Sequence, residues 1–333
     1  MNIYDIAKEA GVSIATVSRV INGSRKVSER TRAKVLAIMK ETDYTPNIFA
    51  RGLSGDFTNT VGILVPDVSN MYMSRAVSFL ENRLHVKGYN VVLSCSGYDA
   101  DGKEQHIRML LDERIDAMVL VGSTYAGSGT SSHNTDSIMA AAEKLPVFLI
   151  NGDVDADNIY CTYSNDEAVS YELTKKMIDS GCRQLLFITD SESYSANQKK
   201  AGFTKALRDG GISIRDEFFL HLPNSIVDVK GYLSMHNFEF DGCFATEDAM
   251  AIGVLKYAAS RRLKVPEDIS IVGYNNTEFC VASTPELTSV DNRLRQMCED
   301  TVDRLIAVLS GNKTVPRRTS VACTVIRRGT TMF

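Results

Sequence analysis

The sequence predicts an α/β protein in two parts: a small all-α helix-turn-helix head, then a large bilobal domain built on two parallel, doubly wound sheets. Three observations carry this. The 333 residues exceed one typical domain and accommodate a small module plus a large one. Before residue 45, three short helical patterns follow one another, the first two separated by a very tight turn. From Thr60 onward, short apolar runs alternate with helical patterns, most at roughly the 20-residue spacing of β-α-β units.

In the head, Asn2 is a good N-cap, Asp5 opposes the positive end of the helix dipole, and Gly11 supplies the stop. Ile3, Ile6, Ala7 and Ala10 then fall on one face. Ser13 caps a second helix from Ile14 to about Val20, with Val17, Val20 and Ile21 as its buried face. Only Gly11 and Val12 lie between helix and cap, so the two helices must cross steeply. Ser28 caps a third helix through about Glu41, with Ala33, Leu36, Ile38 and Met39 available to cover the first two. The second helix is left exposing Ile14, Ala15, Ser18 and Arg19. Such a face suits the major groove, where Arg grips guanine bidentately and Ile or Ala touches a thymine methyl. It equally suits any exposed helix of a three-helix bundle. Pro46 ends the third helix and leads into Asn47–Leu53, a segment too short to be a stable helix in isolation.

In the large domain, VGILVP, NVVLSC, AMVLVG, VFLING, LLFITD, GCFATE and ISIVGY are each bounded by turn residues. Continuous apolar strands imply parallel sheets covered on both faces. The series is too long for one ordinary sheet, and a break falls near Cys161 to Ser164. Two similar lobes follow, about 60–162 with 291–322 and about 163–290 with 323–333, the C-terminal helix and strand crossing back between them. Ligands of such folds meet the carboxyl ends of strands. By position, Asp67, Asn70, Tyr72, Asn151, Asn197, Lys199, Asp248 and Asn275 are the ligand candidates, each also readable as an ordinary loop residue. The stripe Ala76, Phe79, Leu80 and Leu84 offers a dimer surface or a cover for its own sheet.

Composition bounds the alternatives. Hydrophobic residues make up 44% and charged residues 23%, ordinary values for a globular protein. No run of about 18 apolar residues occurs, and no basic segment leads into an apolar one at the N-terminus, so neither a membrane span nor an export signal is expected. Cys95, Cys161, Cys182, Cys243, Cys280, Cys298 and Cys323 lie far apart with no C-x-x-C pair, as for reduced thiols in a cytoplasm. Residues 1–60 hold nine Lys or Arg and six Asp or Glu, net +3, which leaves −7 for the rest of a chain of net charge −4. Only the head suits a polyanion. An enzyme is disfavoured, because there is no G-x-x-x-x-G-K-[ST] loop and no G-x-S-x-G elbow. His85, His106, His133, His221 and His236 form no metal-spaced pair, so neither metal nor cofactor is expected. The stretch Gly127–Ser132 reads as a flexible loop.

The string IYDIAKEAGVSIATVSRVINGSRKVSERTRAKV, followed by YTPNIFARGL, closely resembles the LacI/GalR family of bacterial repressors. The head of that family has the form I-x-D-V-A-x-x-A-G-V-S-x-x-T-V-S-R-V-I-N, then Y-x-P-N-x-x-A-R-x-L. The resemblance implies a head over 1–45, a hinge and linker over 46–59, and a periplasmic-binding-protein-like effector and dimerisation domain over 60–333. It makes Ile14, Ala15 and Arg19 base readers, and Ser13, Thr16, Ser18, Asn22, Thr31, Tyr44 and Asn47 phosphate anchors. It places Leu53 as a minor-groove wedge, in a hinge that becomes helical only when two copies pair over the DNA. The implied function is a cytoplasmic transcriptional repressor, a homodimer on a pseudo-palindromic double-stranded DNA operator, controlled by a small-molecule effector such as a sugar. The family usually carries an arginine in the helix ending A-G-F and aspartate in V-G-Y/F-D-D, whereas this chain reads SANQKKAGF and VGYNN. Ile226 stands where an aromatic is often found. Effector identity therefore does not carry over, and control by a protein partner stays open. A solute-binding protein shares the bilobal fold but needs export, and here the head stands where its signal would be.

Overall fold

Among the described residues, three helices make the head: α1 (Ile3–Ala10), α2 (Ile14–Ile21) and α3 (Glu29–Glu41). They come from a computed structural model that describes residues 3–21, 26–42, 58–126, 135–236 and 238–333. Gly11, at φ +67°, ends α1 in the left-handed region that a glycine enters without strain. Ser13 receives the backbone N–H of Thr16 at 3.2 Å, and Ser28 that of Thr31 at 3.2 Å. Each satisfies one of the orphan donors at a helix start. Ile6, Ala7, Ala10, Val17, Val20, Val35 and Ile38 close the core, with Met39 packed against it. The third helix is rotated from the expected phase: Val35 and Ile38 point inward, while Ala33 is exposed and Leu36 is 48% exposed. Residues 35, 38, 39 and 42 form a single 3.6-residue face, which Ala33 and Leu36 do not share.

The unit Thr60–Phe333 forms a second body. Its first lobe runs β1 (Thr60–Val65), α4 (Met71–Val86), β2 (Asn90–Cys95), α5 (Ala100–Asp112), β3 (Ala117–Val121), α6 (Asp136–Ala142), β4 (Val147–Ile150) and β5 (Ile159–Ser164). The second runs α7 (Asp166–Asp179), β6 (Leu185–Thr189), α8 (Tyr194–Asp209), β7 (Phe219–His221), α9 (Ile226–His236), β8 (Gly242–Ala245), α10 (Asp248–Ser260), β9 (Ser270–Tyr274), α11 (Phe279–Ala282) and β10 (Thr288–Asp291). The chain then returns through α12 (Leu294–Leu309), β11 (Arg318–Val321) and β12 (Thr324–Ile326). Strand order is β2-β1-β3-β4-β5-β11 in one sheet and β7-β6-β8-β9-β10-β12 in the other, so the two lobes repeat one doubly wound plan. Among the described residues every pairing is parallel except β10 with β12.

Helices cover both faces of each sheet, as unbroken apolar strands require. Val61, Ile63 and Val65 pack beneath α4 and α12, and Leu64 faces the opposite core with Leu120 and Leu149. The stripe Ala76, Leu80 and Leu84 is buried within its own lobe, which removes it as a dimer surface; Phe79 is half-buried beneath Arg75 and Arg295. IYCTYS, read as a break, is strand β5 of the first sheet; its polar residues hid it. The chain passes between the lobes at Asn165, at 292–293 and at 322–323. Asp166 ties the first crossing together: it accepts from Ser164 Oγ at 2.5 Å, from Tyr274 Oη at 2.6 Å, and from Ser195 Oγ. Cys161, Cys182, Cys243, Cys280 and Cys298 are buried, and none of the seven thiols is in a disulfide.

Candidate nucleic-acid interface and interlobe cleft

In the head, Val17 and Val20 anchor α2 to the core and thereby turn Ile14, Ala15 and Arg19 outward together, Ile14 being 41% exposed. Ser13, exposed, and Thr16, half-buried, share a 2.9 Å hydroxyl contact at the start of that helix. Thr31 makes the same contact with Ser28 at the start of α3. Two helix N-termini thus present hydroxyls beside free backbone N–H groups, the arrangement that receives a phosphate. The Ser18 side chain and Asn22, Tyr44, Asn47 and Leu53 lie outside the described residues.

In the large unit, strand ends from both lobes surround a cavity of about 270 Å³. The first lobe contributes Asn70, Tyr72, Tyr98, Ser123 and Asn151, the second Asp190, Ser193, Lys199, Glu247 and Asn275. An adjoining cavity of about 470 Å³ shares Asn70, Tyr72, Tyr98, Asn224 and Glu247 and adds Asp67, Ile226 and Asp248. Asn70 caps α4 through the N–H groups of Tyr72 and Met73, at 2.9 and 3.2 Å. Asn151 and Asn275 leave β4 and β9 at φ 66° and 90°, a left-handed turn that asparagine tolerates better than most residues, and both line the cavity.

Of the eight ligand candidates, Asn70, Tyr72, Asn151, Lys199 and Asn275 line the first cavity. Asp67 faces the second, where Ser69 donates to it through N–H and hydroxyl at 2.8 and 2.7 Å and holds its carboxyl below the ordinary range. Asp248 is consumed structurally: Thr277 donates its N–H and hydroxyl at 2.6 and 2.8 Å, and Ser289 its hydroxyl at 2.6 Å. Asn197 does not reach the cleft. It lies two residues before Lys199, about 200° around the helix, and donates to the Glu192 carbonyl at 2.9 Å instead.

The cavity also holds residues missing from the candidate set, above all Asp190 and Glu247. Both were visible as the residues that follow LLFIT and GCFAT, the very strand ends the topology singles out. The contrast with VGY-D-D therefore resolves differently from a loss of charge: Asn275 donates to Glu247 at 2.9 Å, so a neighbouring strand supplies the carboxylate. Lys199 Nζ donates to the Thr246 carbonyl at 3.3 Å and lies 3.8 Å from the Tyr274 ring centre. Burial, and next the nearby Asp190, push the Glu247 carboxyl up to about 8, against the opposing pull of Lys199 and Asn275. Burial raises Asp190 as well.

This has a consequence for stability. Between the ordinary value of 4.5 and about 8, the folded chain retains a proton on Glu247 that the unfolded chain has released, so this group lowers stability as pH rises through that window. Glu247→Gln removes the titration. Its melting temperature relative to the parent should climb between about pH 5 and pH 8 and then level off; a pH-independent difference would show that the carboxyl ionises normally.

A family model described as bacterial regulatory proteins, lacI family, matches residues 2–47, and one described as periplasmic binding protein-like domain matches residues 174–331. An HTH-type transcriptional regulator of Lachnoclostridium phytofermentans is 40% identical over 100% of both chains. Among solved structures, the lac repressor dimer bound to operator and the anti-inducer ONPF is similar at a TM-score of 0.88, with 24% identity over 100% of this chain and 99% of that one. The transcriptional regulator CelR in complex with cellobiose is similar at 0.71, with 21% identity over 99% of each. With a full-length relative at this identity and a head of matching type, the chain belongs to the lacI family of bacterial regulatory proteins.

Proposed function

We propose that this transcriptional regulator acts in the cytoplasm as a homodimeric repressor, binds a pseudo-palindromic operator through α2, and is switched by a polar small molecule in the interlobe cleft. The observation that carries the DNA half is the outward face of α2, where Ile14, Ala15 and Arg19 stand together on a helix fixed from behind. Ile14 and Ala15 meet thymine methyls, and Arg19 takes a guanine. Ser13, Thr16, Ser18, Asn22, Thr31, Tyr44 and Asn47 hold phosphates, and Leu53, from the hinge at 46–59, wedges into the minor groove. Two heads are needed because one reads only a few base pairs. The operator-bound dimer named for the lac repressor supports that arrangement. Val86, Leu93 and Met109 are exposed on the first lobe and offer apolar area for a second copy.

The cavity between strand ends supports the effector half, as does the cellobiose named for CelR. Effector binding alters the angle between lobes at the three crossings and hence the approach of the two hinges. Its leverage is its differential affinity for the two states, typically about 1–3 kcal/mol. No helix of the described residues is long and apolar enough to cross a membrane.

Selection from random duplexes tests the reading. The parent should enrich a two-fold symmetric site, and Arg19→Ala should lose roughly 1–3 kcal/mol and relax one base pair per half-site. Unchanged preference in the variant removes Arg19 from the readers, and no enrichment by the parent, with or without ligand, removes the operator.

A further inference from the structure

The following rests on the cleft being the effector site and concerns what the effector must carry. Strands β6 and β8 are direct neighbours, so Asp190 and Glu247 leave the same edge of the sheet side by side. Among the described residues one cation, Lys199, faces them, and it forms no ion pair with either carboxylate, its ammonium being directed at the Thr246 carbonyl and the Tyr274 ring. Glu247 keeps a single amide contact, with Asn275. Two further groups lining the cavity are buried without a hydrogen-bond partner: the Thr246 hydroxyl, 2% exposed, and the Tyr72 hydroxyl, 5% exposed. A buried polar group without a partner is costly in a finished interior and ordinary in a site that awaits a ligand.

We propose that the effector carries a protonated amine, on a body rich in hydrogen-bonding groups, and seats that amine between Asp190 and Glu247. Two half-buried carboxylates opposed by one ammonium cannot both ionise without an excess negative charge, which desolvation penalises, so the pair retains a proton. A neutral polyol brings no charge that would let both carboxylates ionise. A phosphate or sugar acid would meet the ionised Asp190, and Lys199 alone cannot offset both. A ligand ammonium completes a two-against-two arrangement and donates up to three hydrogen bonds. The groups facing Glu247 are Asp190, Lys199, Asp248 and Asn275, with His221 near Asp190, and Tyr98 is close enough to feel both carboxylates. Burial and Asp190 push the Glu247 carboxyl up to about 8, so seating an ammonium beside it near pH 7 expels its proton to solvent.

Matched pairs of probes decide the matter on the full-length protein: glucosamine against glucose, galactosamine against galactose, an aminocyclitol against its cyclitol, putrescine against 1,4-butanediol, with gluconate and glucose 6-phosphate as anions. Thermal shift finds the binders, and calorimetry at about pH 7 in two buffers of different ionisation enthalpy counts protons. The expected result is an amine that binds at least about tenfold more tightly than its hydroxyl partner, with up to one proton released, the preference being lost in both Glu247→Gln and Asp190→Asn. A neutral or anionic probe that equals or exceeds its amine overturns the proposal and leaves the cleft as the effector site. No binding by any probe overturns both.

Discussion

Removal of residues 1–56 should abolish sequence-specific DNA binding outright and leave a folded, dimeric remainder. The large unit has four apolar clusters of its own, one on each face of each sheet, and none draws on a residue before Val61. Strand β1 is secured at its first residue: Thr60 N–H donates to Asp116 Oδ2 at 3.1 Å, and Asp116 N–H to the Thr60 carbonyl at 2.8 Å. Trimming the chain just ahead of it severs no pairing of either sheet. The head takes with it Ile14, Ala15 and Arg19, and the basic excess of the first 60 residues. The remainder has net negative charge and no attraction for a polyanion. The discrimination lost is that between operator and random duplex, roughly 10³–10⁷ in affinity for specific binders. Anisotropy titrations on a selected duplex measure it, while sedimentation and a single cooperative melt report on the remainder. A truncated chain that still selects the duplex refutes the reading helix, and one that unfolds refutes the division between units.

How far the sequence alone reached depends on what kind of signal each feature leaves. Caps and tight turns are local, so Ser13, Gly11 and Ser28 marked the helix starts and stops that the structure contains. Phase on a short amphipathic helix is weaker: α3 offers Ala33, Val35, Leu36, Ile38 and Met39, more apolar positions than one face can take, and nothing local marks Val35 as a buried one. The buried strands announced themselves as apolar runs, but β5 and β12 are polar or short and were legible only through pairing with partners far along the chain, Cys161 of β5 with Arg318 for one. In the cleft, strand ends pointed to the right neighbourhood and failed at the level of side chains. Asp248 and Glu247 follow the same strand, yet only the Asp248 carboxylate is engaged by Thr277 and Ser289, residues 29 and 41 positions away. Such engagement is a tertiary fact with no sequence signature. Asn197 was avoidable, since it and Lys199 cannot point the same way from one helix.

Gly202→Ala is expected to be among the most damaging single substitutions in the large unit. A Cβ at this position would lie 2.1 Å from the Glu167 carbonyl oxygen and 2.9 Å from the Tyr171 nitrogen, both backbone atoms of α7. Backbone cannot rotate aside as a side chain can, so α8 must move off α7 as a body. Overpacking costs typically 1–3 kcal/mol, and a clash of main chain with main chain belongs at or above the upper end. The consequence extends to the cleft, because α8 also carries Ser195, which donates to Asp166 at the crossing, and Lys199, which lines the cavity with Asp190 and Glu247. Effector affinity should therefore fall together with stability. Gly231→Ala supplies the contrast: it sits within α9 with nothing within 4 Å of the added carbon, so it should stabilise by up to about 1 kcal/mol through helix propensity alone. Urea denaturation of both variants and the parent reads the two effects on one scale. If Gly202→Ala unfolds within about 1 kcal/mol of the parent, α7 and α8 do not meet at this glycine, and the placement of Lys199 in the cleft loses its support.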